Sequence, residues 1–191
     1  MAELDATLPT TNTWQVTKFG EGLSSSIMTT LQAATSGEHM IPLTPDKLRE
    51  HSLGVTILSM GRVAGYTGIT SEYVLTDAQG ARHRALEVGG AVVMPEFRRR
   101  GLASAMLHKV IESVRENPDY PDGTRLVAFT NEHSRGYMEK AGMTPLAPGE
   151  QLSTDAFELC RDCTQCPIAG LKPWEDPSVC CDADGIRAIE L

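Results

Sequence analysis

The sequence predicts a mixed α/β sheet, and three observations carry that expectation. Four segments with strand character, Gly54–Met60, Val63–Tyr73, Arg84–Met94 and Thr124–Thr130, are rich in Val, Ile, Leu and Ala and are set apart by turn residues. Between the third and fourth lies the clearest helical pattern, with Ala103, Leu107, Val110, Ile111 and Val114 on one face. A strand, a long helix and a strand in that order form a crossover, which pairs the two strands in parallel. The 191 residues suit one domain with a small appendage, and an apolar content of 41% is enough for a packed core.

The elements follow in order. Residues 1–14 are polar and Thr-rich, and read as a loose arm or an edge strand. Leu23, Ile27, Leu31 and Ala34 recur at helical spacing up to Gly37. Thr44-Pro45-Asp46 supplies an N-cap, a proline at the first helical position and an acid in the first turn, so a short helix is expected to run to about His51. The strands Gly54–Met60 and Val63–Tyr73 are expected to form a hairpin turning at Gly61-Arg62. A loop at 76–81 leads into Arg84–Met94, whose Gly89-Gly90 pair suggests a bulge or a close backbone approach. Asn117-Pro118 stops the long helix, and Asn131–Lys140 reads as a second good helix closed by Ala141-Gly142. Strand-like fragments continue to about Glu158, and no internal repeat is present.

Charge and patterning narrow the class. Seventeen basic against twenty-five acidic residues leave a net charge of −8, which argues against a protein that binds nucleic acid through phosphates and suits cationic or amine substrates. The longest apolar runs fall far short of the roughly 20 residues that span a bilayer. The first residues lack the basic and apolar regions of a signal peptide, so no membrane partner and a cytoplasmic location are expected. Composition leaves monomer and homodimer equally open.

The most informative segment is Val92-Val93-Met94-Pro95-Glu96-Phe97-Arg98-Arg99-Arg100-Gly101-Leu102-Ala103. A strand ends, three arginines follow, and a glycine opens a helix. A helix N-terminus offers unpaired N–H groups and the positive end of a dipole, the arrangement that receives a pyrophosphate. A solvated basic turn before an ordinary helix is the plainer reading of the same residues.

This segment resembles the acetyl-CoA-binding motif of the GNAT (Gcn5-related) N-acetyltransferases, with Arg98-x-x-Gly101-x-Ala103 in place of Gln/Arg-x-x-Gly-x-Gly/Ala. Asn131, Ser134, Gly142 and Met143 resemble the family's second block, and the likeness covers about residues 15–158. It implies a six- to seven-stranded mixed sheet with helices on both faces, whose fourth and fifth strands splay around acetyl-CoA. It also implies that the backbone of Ala91, Val92 and Val93 binds the acetyl carbonyl and pantetheine arm. Arg98, Arg99, Arg100, Gly101, Leu102, Ala103 and Ser104 would hold the pyrophosphate, and Asn131 would contact the pantetheine arm or cap its helix. The activity implied is acetyl transfer from acetyl-CoA to a primary amine of a small molecule or protein, by direct attack in a ternary complex. A cofactor-binding sensor with weak or no catalysis is the alternative.

Direct attack needs a neutral amine and hence a base. Glu87 lies on the fourth strand, eleven residues before Arg98, at the offset of the base in histone-type members. Regular alternation would put it on one face with Gly89, Ala91 and Val93 unless the bulge breaks the pattern; its plain reading is an exposed edge carboxylate or a salt-bridge partner for Arg84. The family's acid is a Tyr four residues before the Gly of its Gly-Phe pair. That position here is Met138, and Tyr137 stands one residue earlier, roughly 100° around the helix. Tyr137 is therefore either the acid or a core residue.

Residues 159–191 read as a separate Cys-rich tail. They carry all five cysteines: Cys160, Cys163, Cys166, Cys180 and Cys181. A Cys-x-x-Cys knuckle with distant cysteines suits a tetrahedral structural zinc, ahead of free thiols or a disulfide, with an iron–sulfur cluster last. From Arg161 to Glu190 there are three basic and six acidic side chains, which argues against a nucleic-acid-binding finger. The few large apolar residues of the tail cannot form a core of their own, so a metal or packing on the main body must hold it.

Overall fold

The computed structural model describes residues 12–18, 25–34, 46, 50–130, 134–157 and 186–191. Seven strands form a mixed sheet in the order β1-β2-β3-β4-β5-β8-β6: β1 (Asn12–Lys18), β2 (Leu53–Ser59), β3 (Arg62–Thr76), β4 (Arg82–Val93), β5 (Arg125–Phe129), β6 (Thr144–Pro145) and β8 (Ile186–Glu190). The two-residue β7 (Gln151–Leu152) pairs with the end of β3. The edge strand β1 begins inside the Thr-rich arm and pairs with β2. Most of the expected helix at 44–51 lies outside the described residues; His51 itself is not helical.

The hairpin between β2 and β3 turns one residue earlier than the sequence suggested. Ser59 pairs with Arg62, and the two central residues are Met60 and Gly61, with φ of 51° and 74°. A two-residue turn of this hand needs left-handed backbone at both positions and matches the twist of the flanking strands. Gly61 adopts it without strain. Met60 also adopts it, with its side chain 79% exposed at the tip.

Helix α2 (Leu102–Arg115) connects β4 to β5, which pair in parallel through Ala85–Arg125, Leu86–Leu126 and Glu87–Val127. It buries Leu102, Met106, Leu107, Val110, Ile111 and Val114. These pack against Leu53, Val55, Ile57, Ala64, Ile69, Leu86 and Val88 of the sheet. Ala103, expected on this face, is only half-buried; Leu102 and Met106 take the places nearest the sheet. The approach is close: a Cβ on Gly65 would stand 2.9 Å from Met106 Cε and from the Val92 carbonyl oxygen.

The opposite face carries two clusters. Helix α1 (Ser25–Ala34) lays Ile27 and Leu31 over Tyr66, Val92 and Met94. Farther along, Tyr73, Leu75, Ala85 and Val127 pack with Leu152, Ala156 and Phe157, and with Ile186 and Ala188 of β8. Strand β8, absent from the sequence reading and drawn from the residues assigned there to the tail, lies inside the sheet between β5 and β6. Helix α3 (Arg135–Lys140) is shorter than the sequence indicated, and residues 131–133 are outside the described part.

Two bulges interrupt the β3–β4 ladder and cancel one another. Tyr66 pairs with Val92 but Gly68 with Gly89, which adds a residue on β4 at Gly90–Ala91; Ile69 pairs with Val88 but Ser71 with Glu87, which adds one on β3 at Thr70. Gly90 has φ of 62°, as a glycine bulge requires. The β4 bulge reverses the alternation. Leu86 and Val88 face α2, whereas beyond the bulge it is Val93 that packs there and Val92 that joins the α1 cluster. The expected common face of Glu87 and Val93 is therefore overturned.

Candidate active site

Glu87 occupies the last position at which β4 pairs with β5, and from Val88 onward the two strands part. In a regular sheet the β5-facing edge of β4 would continue as a ladder. Here, among the described residues, the segment from Val88 to Val93 has β3 alone as its strand partner. The bulge at Gly90 falls in this stretch, so the twist that separates the strands and the unpaired edge have one origin. Ala91, Val92 and Val93, singled out from the sequence, lie along that edge.

The edge leads into a short 3₁₀ turn, Pro95–Phe97, and then into Arg98, Arg99, Arg100 and Gly101. Arg99 has φ of 62° and Gly101 φ of 74°, so the loop wraps tightly onto the start of α2. Its N-cap residue, Gly101, has no side chain with which to cap the helix. The first intrahelical bond runs from the Ala105 N–H to the Gly101 carbonyl, which leaves the N–H groups of Leu102, Ala103 and Ser104 without helical acceptors. A Cβ at Gly101 would meet no atom within 4 Å. The position thus requires glycine for its backbone conformation, and the space above it is open.

The three arginines have different roles. Arg98 donates from Nε to the Val93 carbonyl at 3.1 Å and ties the loop to the end of β4. Arg100 lies over the Phe97 ring at 5.6 Å. Arg99 is exposed on the left-handed turn. Nearby, Arg62 pairs with Glu96 at 2.6 Å and fixes the 3₁₀ turn to the tip of the β2–β3 hairpin.

On the face away from α2, Glu87 is 8% exposed. The hydroxyl of Tyr73 donates to its Oε2 at 2.9 Å. Burial raises the affinity of the carboxyl for a proton, and the hydroxyls of Tyr73, Thr70 and Ser71 oppose that by favouring the charged form. Thr70 also reaches the Glu87 carbonyl at 3.4 Å, and Thr67 the Gly89 carbonyl at 3.1 Å. Burial and the adjacent carboxylate push the Tyr73 phenol far up, so it remains a proton donor near neutrality. Arg84 does not pair with Glu87, contrary to the plain reading; it pairs with Glu72 at 2.6 Å and lies over the Tyr120 ring.

A second polar pair lies on the same face. His51 Nδ1 stands 2.6 Å from the Tyr66 hydroxyl, and burial lowers the His51 pKa to about 4. Gly68 makes room for the pair, since a Cβ there would stand 2.9 Å from the Tyr66 hydroxyl. The sequence reading missed Thr70, Ser71, Tyr73, His51 and Tyr66. Ser71-x-Tyr73 alternation on the strand facing Glu87 was the available signal for two of them.

On α3, Met138 is 3% exposed within the α2 cluster, and Tyr137 is half-buried against it. The position that holds Tyr in the family is therefore filled by core packing. Burial pushes the Tyr137 phenol up to about 12. Asn131 and all five cysteines lie outside the described residues. Among the described residues no group of His, Cys, Asp or Glu could hold a metal, and no helix is long and apolar enough to cross a membrane.

A parallel pair of strands that separates beside a helix N-terminus is the architecture of the GNAT fold. The family model described as acetyltransferase (GNAT) family matches residues 21–143, and the chain belongs to that family. Solved structures agree in fold. A GCN5-related N-acetyltransferase from Kribbella flavida matches at 14% identity and a TM-score of 0.53 over 71% of this chain, which spans about a third (34%) of that one. The GNAT family N-acetyltransferase YhbS from Escherichia coli, in complex with CoA, matches at 14% identity and a TM-score of 0.52, covering 94% of this chain and 81% of its own. Arabidopsis thaliana NAA60, in complex with a bisubstrate analogue, matches at 10% identity and a TM-score of 0.51, covering 71% and 86%. No curated protein matches the chain.

Proposed function

We propose that this protein transfers acetyl from acetyl-CoA to a primary amine by direct attack in a ternary complex. One observation carries the reading: β4 leaves β5 immediately after Glu87, and its unpaired edge runs directly into the uncapped start of α2. The residues present fit acetyl-CoA as substrate. The N–H groups of Leu102, Ala103 and Ser104 point along the positive end of the helix dipole, where a pyrophosphate is stabilised. Arg99 adds charge at the same turn, and the edge at Ala91–Val93 offers main-chain groups to the amide-bearing pantetheine arm. Asn131 is assigned to that arm from its place in the second sequence block.

Proton movement falls to this chain's own side chains. The ammonium form of the acceptor must lose a proton before its lone pair can attack. Glu87 takes that proton, and its burial raises its affinity for it. As nitrogen bonds to the acetyl carbon, the carbon–sulfur bond breaks, the thiolate of CoA leaves, and the second proton of the nitrogen restores the group that protonates the thiolate. Tyr137 is assigned as that proton donor, since burial keeps the phenol protonated at working pH. The products are the N-acetyl amine and free CoA. The net charge of −8 favours cationic acceptors over anionic ones.

We further assign one structural zinc to four of the five cysteines, with Cys160 and Cys163 the first pair. The topology supports a staple at that place. Phe157, in the 3₁₀ turn that follows β7, and Ile186, at the start of β8, are buried in one cluster, so the residues on either side of the Cys-bearing stretch are packed together.

The test of the main reading is release of CoA from acetyl-CoA against a panel of peptide N-termini, lysine, polyamines and aminoglycosides. Wild-type protein should turn over at least one of them. Glu87→Gln should bind acetyl-CoA normally by calorimetry while kcat falls, with the deficit easing at high pH, where free amine is abundant. Tight acetyl-CoA binding with no turnover on any amine would instead make the chain a binding module.

A further inference from the structure

The bulge in β3 has a chemical consequence. Ile69 pairs with Val88 and Ser71 with Glu87, so two β3 residues, Thr70 and Ser71, stand opposite the single residue Glu87. In a regular strand their hydroxyls would point to opposite faces. The bulge suspends that alternation: Thr70 donates to the Glu87 carbonyl at 3.4 Å, and both residues stand beside its carboxyl, whose charged form their hydroxyls favour. Two residues farther on, Tyr73 returns to the same face and donates directly to Oε2 at 2.9 Å. Glu87 and Tyr73 are each only 8% exposed, so little water replaces these donors.

We propose that Tyr73 is a positioning residue for acetyl transfer: with Thr70 and Ser71 brought alongside by the β3 bulge, its hydroxyl fixes the Glu87 carboxylate in one orientation and favours its charged form at the point where β4 leaves β5. The inference rests on the assignment of Glu87 as base. An unpaired buried carboxylate would take up a proton and be useless for removing one from an amine; a carboxylate bonded to several donors would remain ionised. The three hydroxyls are neutral, so they favour the charged form without neutralising it, as an arginine partner would. Among the described residues, the neighbours that bear on the pair are these. Val127 lies beside Glu87 on β5, Ala85 and Gly89 flank it on β4, and Asp155, beyond β7, is the other described charge that acts on Tyr73. Asp155 disfavours ionisation of the phenol and so keeps it a donor.

The deciding experiment follows Glu87 itself, with no need for an acceptor. The full chain is labelled with carboxyl-¹³C glutamate, and the Glu87 resonance is identified by its loss in Glu87→Gln. In Tyr73→Phe, which keeps the ring in its cluster, the Glu87 titration midpoint should rise by about one pH unit, the size expected for one hydrogen bond to a charged group. Ser71→Ala should move it the same way by less. With n-butylamine as acceptor, the acidic limb of kcat/KM should rise with the midpoint, while acetyl-CoA affinity stays unchanged. A midpoint that does not move in Tyr73→Phe overturns the proposal. Unaltered turnover in Glu87→Gln would overturn the base assignment beneath it, and the titration separates the two failures.

Discussion

The guanidinium of Arg187 on β8 meets the carboxylate of Glu139 on α3 at 3.2 Å, and the arginine is 5% exposed although the glutamate is half open to solvent. The pair joins the last strand of the chain to the helix that follows β5. It therefore fastens the return of the Cys-bearing segment to the acetyltransferase sheet. The guanidinium also donates to the Ile186 carbonyl at 3.4 Å, so Glu139 is not the sole support of this buried charge.

Arg187→Ala should lower the stability of the whole domain by about 3 kcal/mol, since it both removes the pair and empties buried volume beside β5. Glu139→Ala should lower it by about 1 kcal/mol, because that side chain is partly hydrated. Urea unfolding followed by fluorescence checks both. A loss confined to the segment, with the main transition unmoved, would mean that β8 is not part of the cooperative unit.

His51 makes stability fall on acidification. Its pKa is about 4 in the folded protein against 6.5 for the free side chain, so the unfolded chain binds the extra proton between those values. The contribution is complete above about pH 6.5 and is lost progressively as pH falls toward 4. Between pH 7 and pH 5 the loss should be about 2 kcal/mol. His51→Asn retains an acceptor for the Tyr66 hydroxyl and removes the titration. The difference in stability between wild type and His51→Asn should therefore narrow or reverse toward pH 5 by that amount; a constant difference would contradict the burial of His51.

Gly101 combines a left-handed φ with open space above it. Gly101→Ala should destabilise the free protein by about 1 kcal/mol through backbone strain alone. Gly101→Asn should regain most of that, because asparagine tolerates the left-handed region. Both should bind acetyl-CoA more weakly than wild type, Asn the more so, since its side chain occupies the space over the helix start. Calorimetry with acetyl-CoA separates the effects, and full affinity in the Asn variant would place the pyrophosphate elsewhere.

Protein purified under reducing conditions should contain about one metal ion per chain, with zinc expected. Chelation should free thiols to titrate and lower the melting temperature modestly, because β8 is held in the sheet by its own ladder and by Ile186 and Ala188. Elemental analysis and thiol titration decide the matter. Five freely titrating thiols and no metal would leave packing as the sole anchor.

The sequence by itself determined the crossover of β4, α2 and β5, the loop at Arg98–Gly101 and the candidacy of Glu87. The first two rest on local signals, helical periodicity and a glycine opening a helix after a basic run; the candidacy of Glu87 rests on the family resemblance, through its offset from Arg98. Tertiary structure alone decided the surroundings of Glu87. The donors Thr70, Ser71 and Tyr73 come from another strand, and their approach depends on a one-residue register shift that no local pattern encodes. The same holds for Val92 and Val93, whose faces were exchanged by the bulge at Gly90. Strand β8 shows the third limit. Its five residues alternate weakly and follow a long Cys-bearing segment, and they become a strand because β5 presents an open edge and a buried cluster beside it. Strand formation there is a property of the partner edge as much as of the segment, since cross-strand pairing and burial override intrinsic preference.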